Sequence, residues 1–130
     1  MLHYYESIED CPGFSLDGYF VGWKKPLSND EFSRLLRNSA YVVLAVDDIT
    51  KQIVGVVTAL SDEVNWAFIP FLEVLPQWRG QGIGRALMER MLDKLADITC
   101  VDLTCDAEMQ PFYAKFGMLP SCGAVVRRYL

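Results

Sequence analysis

Between Leu72 and Met91 the chain reads LEVLPQWRGQGIGRALMERM. An apolar run ends at Pro76, glycines stand at 80, 82 and 84, and an amphipathic pattern starts at once behind them. Ile83, Leu87, Met88, Met91, Leu92 and Leu95 fall on one helical face, with Arg85, Glu89, Arg90, Asp93 and Lys94 on the other. This is a strand, a glycine turn and a helix in immediate succession. Such a junction either makes a tight turn or cradles an anion at a helix N-terminus. It ties residues 72–95 into one βα unit, and the rest of the chain must supply the sheet.

The flanking segments do so. His3 to Ile8 is expected as a first strand, and Asp10 to Lys25 mixes glycines with Phe14, Leu16, Tyr19, Phe20 and Trp23 in an irregular, packed segment. Pro26 to Ser39 reads as a helix, opened by a capping box of Ser28 and Glu31. Strands are expected over Tyr41–Val46, Gln52–Leu60 and Asn65–Leu75, the first two joined by the turn DDITK. After the amphipathic helix come a strand over Thr99–Thr104, a short helix over Ala107–Phe116 ended by Gly117, and a closing strand over Gly123–Leu130. The fold class is therefore a mixed α/β domain, one domain over residues 1–130, with an antiparallel meander at its centre.

Composition narrows the function classes. A net charge of −5 and the lack of a basic run argue against a nucleic-acid partner and fit a cationic one. No apolar run reaches membrane-spanning length and MLHYYESIEDC does not read as a secretory signal, so a cytoplasmic location without membrane attachment is the expectation. Four cysteines without a CxxC pair and a single histidine, His3, give no metal site and no disulfide framework.

Three phosphate-binding patterns compete for the glycines. A Walker loop needs lysine and then Ser or Thr after its last glycine, whereas Arg85 and Ala86 follow Gly84. A dinucleotide fingerprint counted from Gly80 and Gly82 needs a third small residue where Arg85 stands. The third pattern, R-x-x-G-x-G, is filled by Arg79, Gly82 and Gly84. With Val74-Leu75-Pro76 before it and FYAKFGM at 112–118 after it, the chain resembles the GCN5-related N-acetyltransferase (GNAT) family.

That resemblance implies a sheet splayed between the strands at 66–75 and 99–104, with acetyl-coenzyme A as acyl donor in the opening. Its pyrophosphate would lie on Arg79, Gly80, Gln81, Gly82, Gly84 and Arg85, and its pantetheine arm against the main chain of Leu72 and Val74. The implied reaction is direct attack of a primary amine, on a small molecule or a protein, within a ternary complex. Tyr113 takes the family's general-acid position, and its other reading is a packing aromatic. Glu73 is a candidate base, although strand alternation puts it on the face opposite Leu72 and Val74; its other reading is an ion pair or a solvated face. Asp106 stands where many members carry asparagine, and Met118 replaces a phenylalanine. A coenzyme A-binding module without catalysis remains the alternative reading, and the closing VVRRYL is a strand able to pair across a homodimer.

Overall fold

The computed structural model describes residues 1–130. Five strands form one sheet in the order β1-β2-β3-β4-β5: Leu2–Tyr5, Tyr41–Asp47, Gln52–Ser61, Trp66–Val74 and Cys100–Asp102. The first four are antiparallel neighbours, and β5 joins β4 in parallel. Helix α1 (Asn29–Asn38) covers one face and α2 (Ile83–Lys94) the other, while α3 (Gln110–Ala114) is little more than one turn.

Strand alternation divides the core in two. Leu44, Val46, Ile53, Val56 and Phe71 pack under α1 with Phe32 and Leu36, whereas Val43, Ala45, Val54 and Val57 pack under α2 with Ile83, Leu87, Met88 and Met91. Both faces of β3 are thus dry, which accounts for its nearly unbroken apolar run. Gly55 is the one gap in that run, and α2 uses it. A Cβ there would stand 3.0 Å from Ile83 Cγ2 and from Leu87 Cδ1.

The capping box of α1 forms as the sequence requires, with the Glu31 N–H on Ser28 Oγ and the Ser28 N–H on Glu31 Oε1. Two expected boundaries are trimmed: the first strand stops at Tyr5, and the strand at 99–104 keeps only Cys100–Asp102. The helix expected over Ala107–Phe116 is a 3-10 turn, Ala107–Met109, followed by α3. Pro111 stands in the first turn of α3, where its missing N–H costs nothing.

The closing strand over Gly123–Leu130 does not form. Residues 119–130 have no ladder partner and are exposed throughout, Val125 and Val126 included. Valine and tyrosine favour extended backbone, but a strand exists only where a neighbour takes its hydrogen bonds.

Two expectations for stability follow. Gly55→Ala should destabilise by about 1–2 kcal/mol, since the added methyl overpacks the β3–α2 contact, and urea denaturation measures it. Asp47 is buried and takes hydrogen bonds from Thr50 Oγ1, the Thr50 N–H and the terminal ammonium, which hold its carboxyl down at about 2. A carboxyl depressed on folding stabilises above its unfolded value and loses that contribution as the pH falls. Asp47→Asn should therefore lower Tm at neutral pH, and the gap to the parent should close between about pH 4 and pH 2.

Candidate active site

The site begins with an irregularity in β4. Thr58 stands opposite Phe71 but Leu60 opposite Phe68, so Ala59 faces both Ile69 and Pro70. This is a β-bulge, and it contains a proline, which has no N–H to give to a ladder. One extra residue exchanges the roles of odd and even positions. Before the bulge the Trp66 carbonyl turns toward β3, accepting from Asp62 N–H, and the Asn65 carbonyl turns toward β5, accepting from Cys100 N–H. After it, Leu75 N–H donates to the Val54 carbonyl on β3 at 2.9 Å. Counting back from Leu75, Glu73 and Phe71 also turn their main chain to β3, while Leu72 and Val74 turn theirs the other way.

On that other side no strand meets them. The β4–β5 ladder ends at Phe68 opposite Asp102, and the two strands then part. The opening expected between them is present, with the main chain of Leu72 and Val74 along its edge. The Val74 carbonyl is already taken, because Arg79 Nε donates to it at 2.9 Å. Arg79 thus braces the loop against the strand.

The glycine loop lies at the end of this edge. Pro76–Trp78 form a 3-10 turn, Gly80 and Gly82 adopt φ of 80° and 82°, and Gly82 caps α2. The helical ladder begins with Ala86 N–H on the Gly82 carbonyl at 3.0 Å, so the N–H groups of Ile83, Gly84 and Arg85 have no helical partner. Those of Gly80, Gln81 and Gly82 likewise bond to no other backbone. A run of free donors at the positive end of a twelve-residue helix suits an anion.

The three glycines are not equivalent. A Cβ at Gly80 or Gly82 would point into open space, so left-handed backbone is what reserves these positions for glycine. Gly84 has ordinary helical geometry, and a Cβ there would make normal contacts with Phe112 at 3.7 Å and Val74 at 3.9 Å. Arg85 leans along the helix to Glu89 Oε1 at 2.7 Å.

Tyr113 lines a cavity of about 820 Å3 beside β5, together with Phe68, Val101, Leu103, Cys105 and Phe116. Burial, and secondarily the neighbouring Cys105 sulfur, push its phenol above the ordinary tyrosine value. It stays protonated at neutral pH and has only a proton to offer.

Glu73 lies on the α1 face, opposite Leu72 and Val74 as alternation requires. Its Oε1 accepts the Phe20 N–H at 3.1 Å, while Oε2 is out of water and has no partner. No cation pairs with it, so the ion-pair reading fails within the chain. The Phe20 contact was not legible in the sequence, because it joins residues 53 positions apart. The same holds for Arg79 on Val74. No group of three or more metal-ligating side chains converges anywhere in the chain, and no helix is long and apolar enough to cross a membrane.

The profile of the Acetyltransferase (GNAT) family matches residues 5–118. The chain belongs to that family. Among curated proteins it is 33% identical over 110 residues to histone acetyltransferase TAP1 of Glycine max, covering 75% of this chain and 46% of that protein. It is 28% identical over 104 residues to the uncharacterized N-acetyltransferase ycf52 of Pyropia yezoensis, covering 76% of this chain and 59% of that one. The chain thus spans about half the length of the curated relatives it matches. A solved structure from Deinococcus radiodurans R1 superposes with a TM-score of 0.91 at 37% identity over 98% of this chain and 89% of that one. A GNAT family protein of Streptococcus pneumoniae TIGR4 follows the same fold at 25% identity, with a TM-score of 0.73 over 98% and 99% of the two chains. The splayed sheet and the glycine loop are therefore those of a member of this family.

The difference among the glycines can be measured without any ligand. Gly82→Ala should destabilise by about 1–2 kcal/mol, the cost of left-handed backbone for an L-residue. Gly84→Ala should be neutral or gain up to about 1 kcal/mol of helix propensity. Denaturant midpoints of the two variants against the parent test the contrast.

Proposed function

We propose that this acetyltransferase moves the acetyl group of acetyl-coenzyme A to a primary amine by direct attack. The observation that carries the reading is the adjacency of two unfilled sets of donors: the free N–H groups at the start of α2 and the unpaired edge of β4 beyond Phe68. The first suits a pyrophosphate and the second an extended amide chain. A pantetheine arm lying along β4 would pair with the main chain of Leu72 and with the Val74 N–H, the Val74 carbonyl being held by Arg79. Gly80, Gln81, Gly82, Gly84 and Arg85 would surround the pyrophosphate with backbone donors, Arg85 adding charge after leaving Glu89.

In the reaction the amine nitrogen bonds to the thioester carbon, and the carbonyl oxygen takes negative charge. A main-chain N–H on the open edge stabilises that oxyanion, at a place where no ladder competes for it. The C–S bond then breaks and the sulfur leaves as a thiolate. Tyr113, kept protonated by burial, donates its proton to that sulfur, and the proton that the new amide nitrogen sheds as the C–S bond breaks restores the phenol. The amine must shed a proton to attack, since alkylamines are mostly charged at neutral pH. Glu73 holds an unpartnered carboxylate oxygen on the α1 face and is the base in this reading. The donor and the acceptor then approach the gap from opposite faces of the sheet.

Acetyl-coenzyme A at a hundred times its Kd should stabilise the protein by roughly 2.7 kcal/mol, a rise of several degrees in Tm, while ATP and NAD leave it unchanged. No shift would sink the reading; a shift without product from any amine would leave the coenzyme A-binding module. Tyr113→Phe should lower kcat at least tenfold, the loss expected of a general acid, with acetyl-coenzyme A affinity kept. Steady-state kinetics beside calorimetry separate the two effects.

A further inference from the structure

The cavity beside β5 has walls from two segments. One is formed by residues 101–105, the other by the tail through Ser121, Cys122, Gly123 and Val125. The two walls touch at one place, where a Cβ on Gly123 would stand 4.0 Å from Thr104 Cγ2. Cys105 follows Thr104 and Cys122 precedes Gly123, so each cysteine is the next residue out from that contact. Both line the cavity, and both are free thiols. The chain reverses between them: Gly117, at φ of 81°, turns it out of α3, and Val125 comes back to the wall that holds Val101 and Asp102. Facing residues of chains that run antiparallel stand about 4.5–5.5 Å apart at Cα. A disulfide spans about 4.4–6.8 Å.

Neither of the other two cysteines competes. Cys11 is buried in the core under α1, and burial pushes its thiol up to about 11. Cys100 opens β5, where Asn65 Nδ2 donates to its Sγ at 3.8 Å, and it does not line the cavity. The tail can close on the facing wall at small cost. No backbone hydrogen bond ties residues 118–126 to any other backbone group, so there is no ladder to break. Closing would also cover Val125, which stands exposed at the rim.

We infer that Cys105 and Cys122 form a reversible disulfide that fastens the tail to the end of β5 and acts as a redox switch on Tyr113. The oxidant is a low-molecular-weight disulfide. Cys122 is exposed and meets it first. Its thiolate attacks one sulfur, a mixed disulfide forms, and one small thiol leaves with the proton that Cys122 gave up. The thiolate of Cys105 then attacks the Cys122 sulfur, the protein disulfide closes, and the second small thiol leaves with the proton of Cys105. Two protein thiols are oxidised and one small disulfide is reduced to two thiols. A bond with an exposed partner exchanges readily, which sets it apart from a framework that holds a fold together. Helix α3 lies wholly between the two cysteines and buries none of its residues, so the closed loop fixes Tyr113 where packing does not. The fastened tail also takes up room in the cavity that Tyr113 lines. The effect on turnover rests on the acyl-transfer reading; the link itself does not.

The test incubates the protein with oxidised glutathione and maps its cysteines by mass spectrometry without reduction. The expected result is a loss of two hydrogens, one cross-link between Cys105 and Cys122, and full reversal by dithiothreitol. Cys100→Ser should still form the link, whereas Cys105→Ser and Cys122→Ser should stop at a glutathione adduct or at free thiols. Thermal melts of the reduced variants check that each folds. Oxidation should raise the Tm of the parent, because the link restricts the unfolded chain, and leave the Tm of Cys122→Ser without that rise. It should lower the kcat of the parent at least about tenfold, as expected when a general acid is displaced, and spare Cys122→Ser. A parent that keeps both thiols, stops at the mixed disulfide, or links through Cys100 overturns the inference, as does a link that leaves kcat unchanged. If the reduced protein acetylates no amine, the acyl-transfer reading fails on its own; the cross-link map and the melts still decide the disulfide.

Discussion

The contact between α2 and Gly55 sets the position of everything that matters in the site. Ile83 and Leu87 descend onto β3 where it has no side chain, which lets the helix lie closer to the sheet than any alanine would allow. Ile83 is the first residue of α2, so the same contact fixes the helix start and the free N–H groups beside it. From the other end the loop is braced by Arg79 on the Val74 carbonyl. The glycine loop is thereby held between two anchors on neighbouring strands, β3 and β4. Local glycine flexibility is confined to Gly80 and Gly82, where the backbone is left-handed.

The second determinant is the bulge at Ile69–Pro70. It allows one strand to serve two neighbours with different halves of its length. The first half of β4 pairs with β5, and the second half presents its main chain to an empty edge. It also carries the apolar pattern across, since Ala67 and Ile69 face α2 but Phe71 faces α1. In the family reading, donor and acceptor must meet at this gap. The sheet supplies both approaches because the bulge leaves the edge open where Glu73 and Tyr113 stand on opposite faces.

Much of this was legible in the residues. The βα junction at 72–95, the capping box at Ser28 and the meander follow from periodicity and turn residues, and the resemblance to the family is carried by R-x-x-G-x-G, Val74-Leu75-Pro76 and FYAKFGM. Glu73 could be assigned a face by alternation alone, counted from Leu72 and Val74 beyond the bulge. Three features were not legible. The Phe20–Glu73 bond, the Arg79–Val74 bond and the unpaired Thr58 depend on which segments meet, and no local pattern encodes that. The closing strand misled for a related reason. VVRRYL has the composition of a strand, but composition does not supply a partner. Gly84 belongs to the motif without being required by the backbone.

The bulge also says which parts of this chain can drift in length. Insertion or loss of one residue between Ala67 and Phe71 would exchange the two faces of the strand beyond it. Glu73 would turn toward α2, Leu72 toward the aromatic cover, and the open edge would fall to the wrong carbonyls. A substitution in β4 is a local disturbance, whereas a single-residue indel there rewrites the site at a stroke. Residues 119–130, which no ladder holds, carry no such constraint. Across descendants of such a chain, length should be frozen around Pro70 and free near Pro120, whatever happens to the letters.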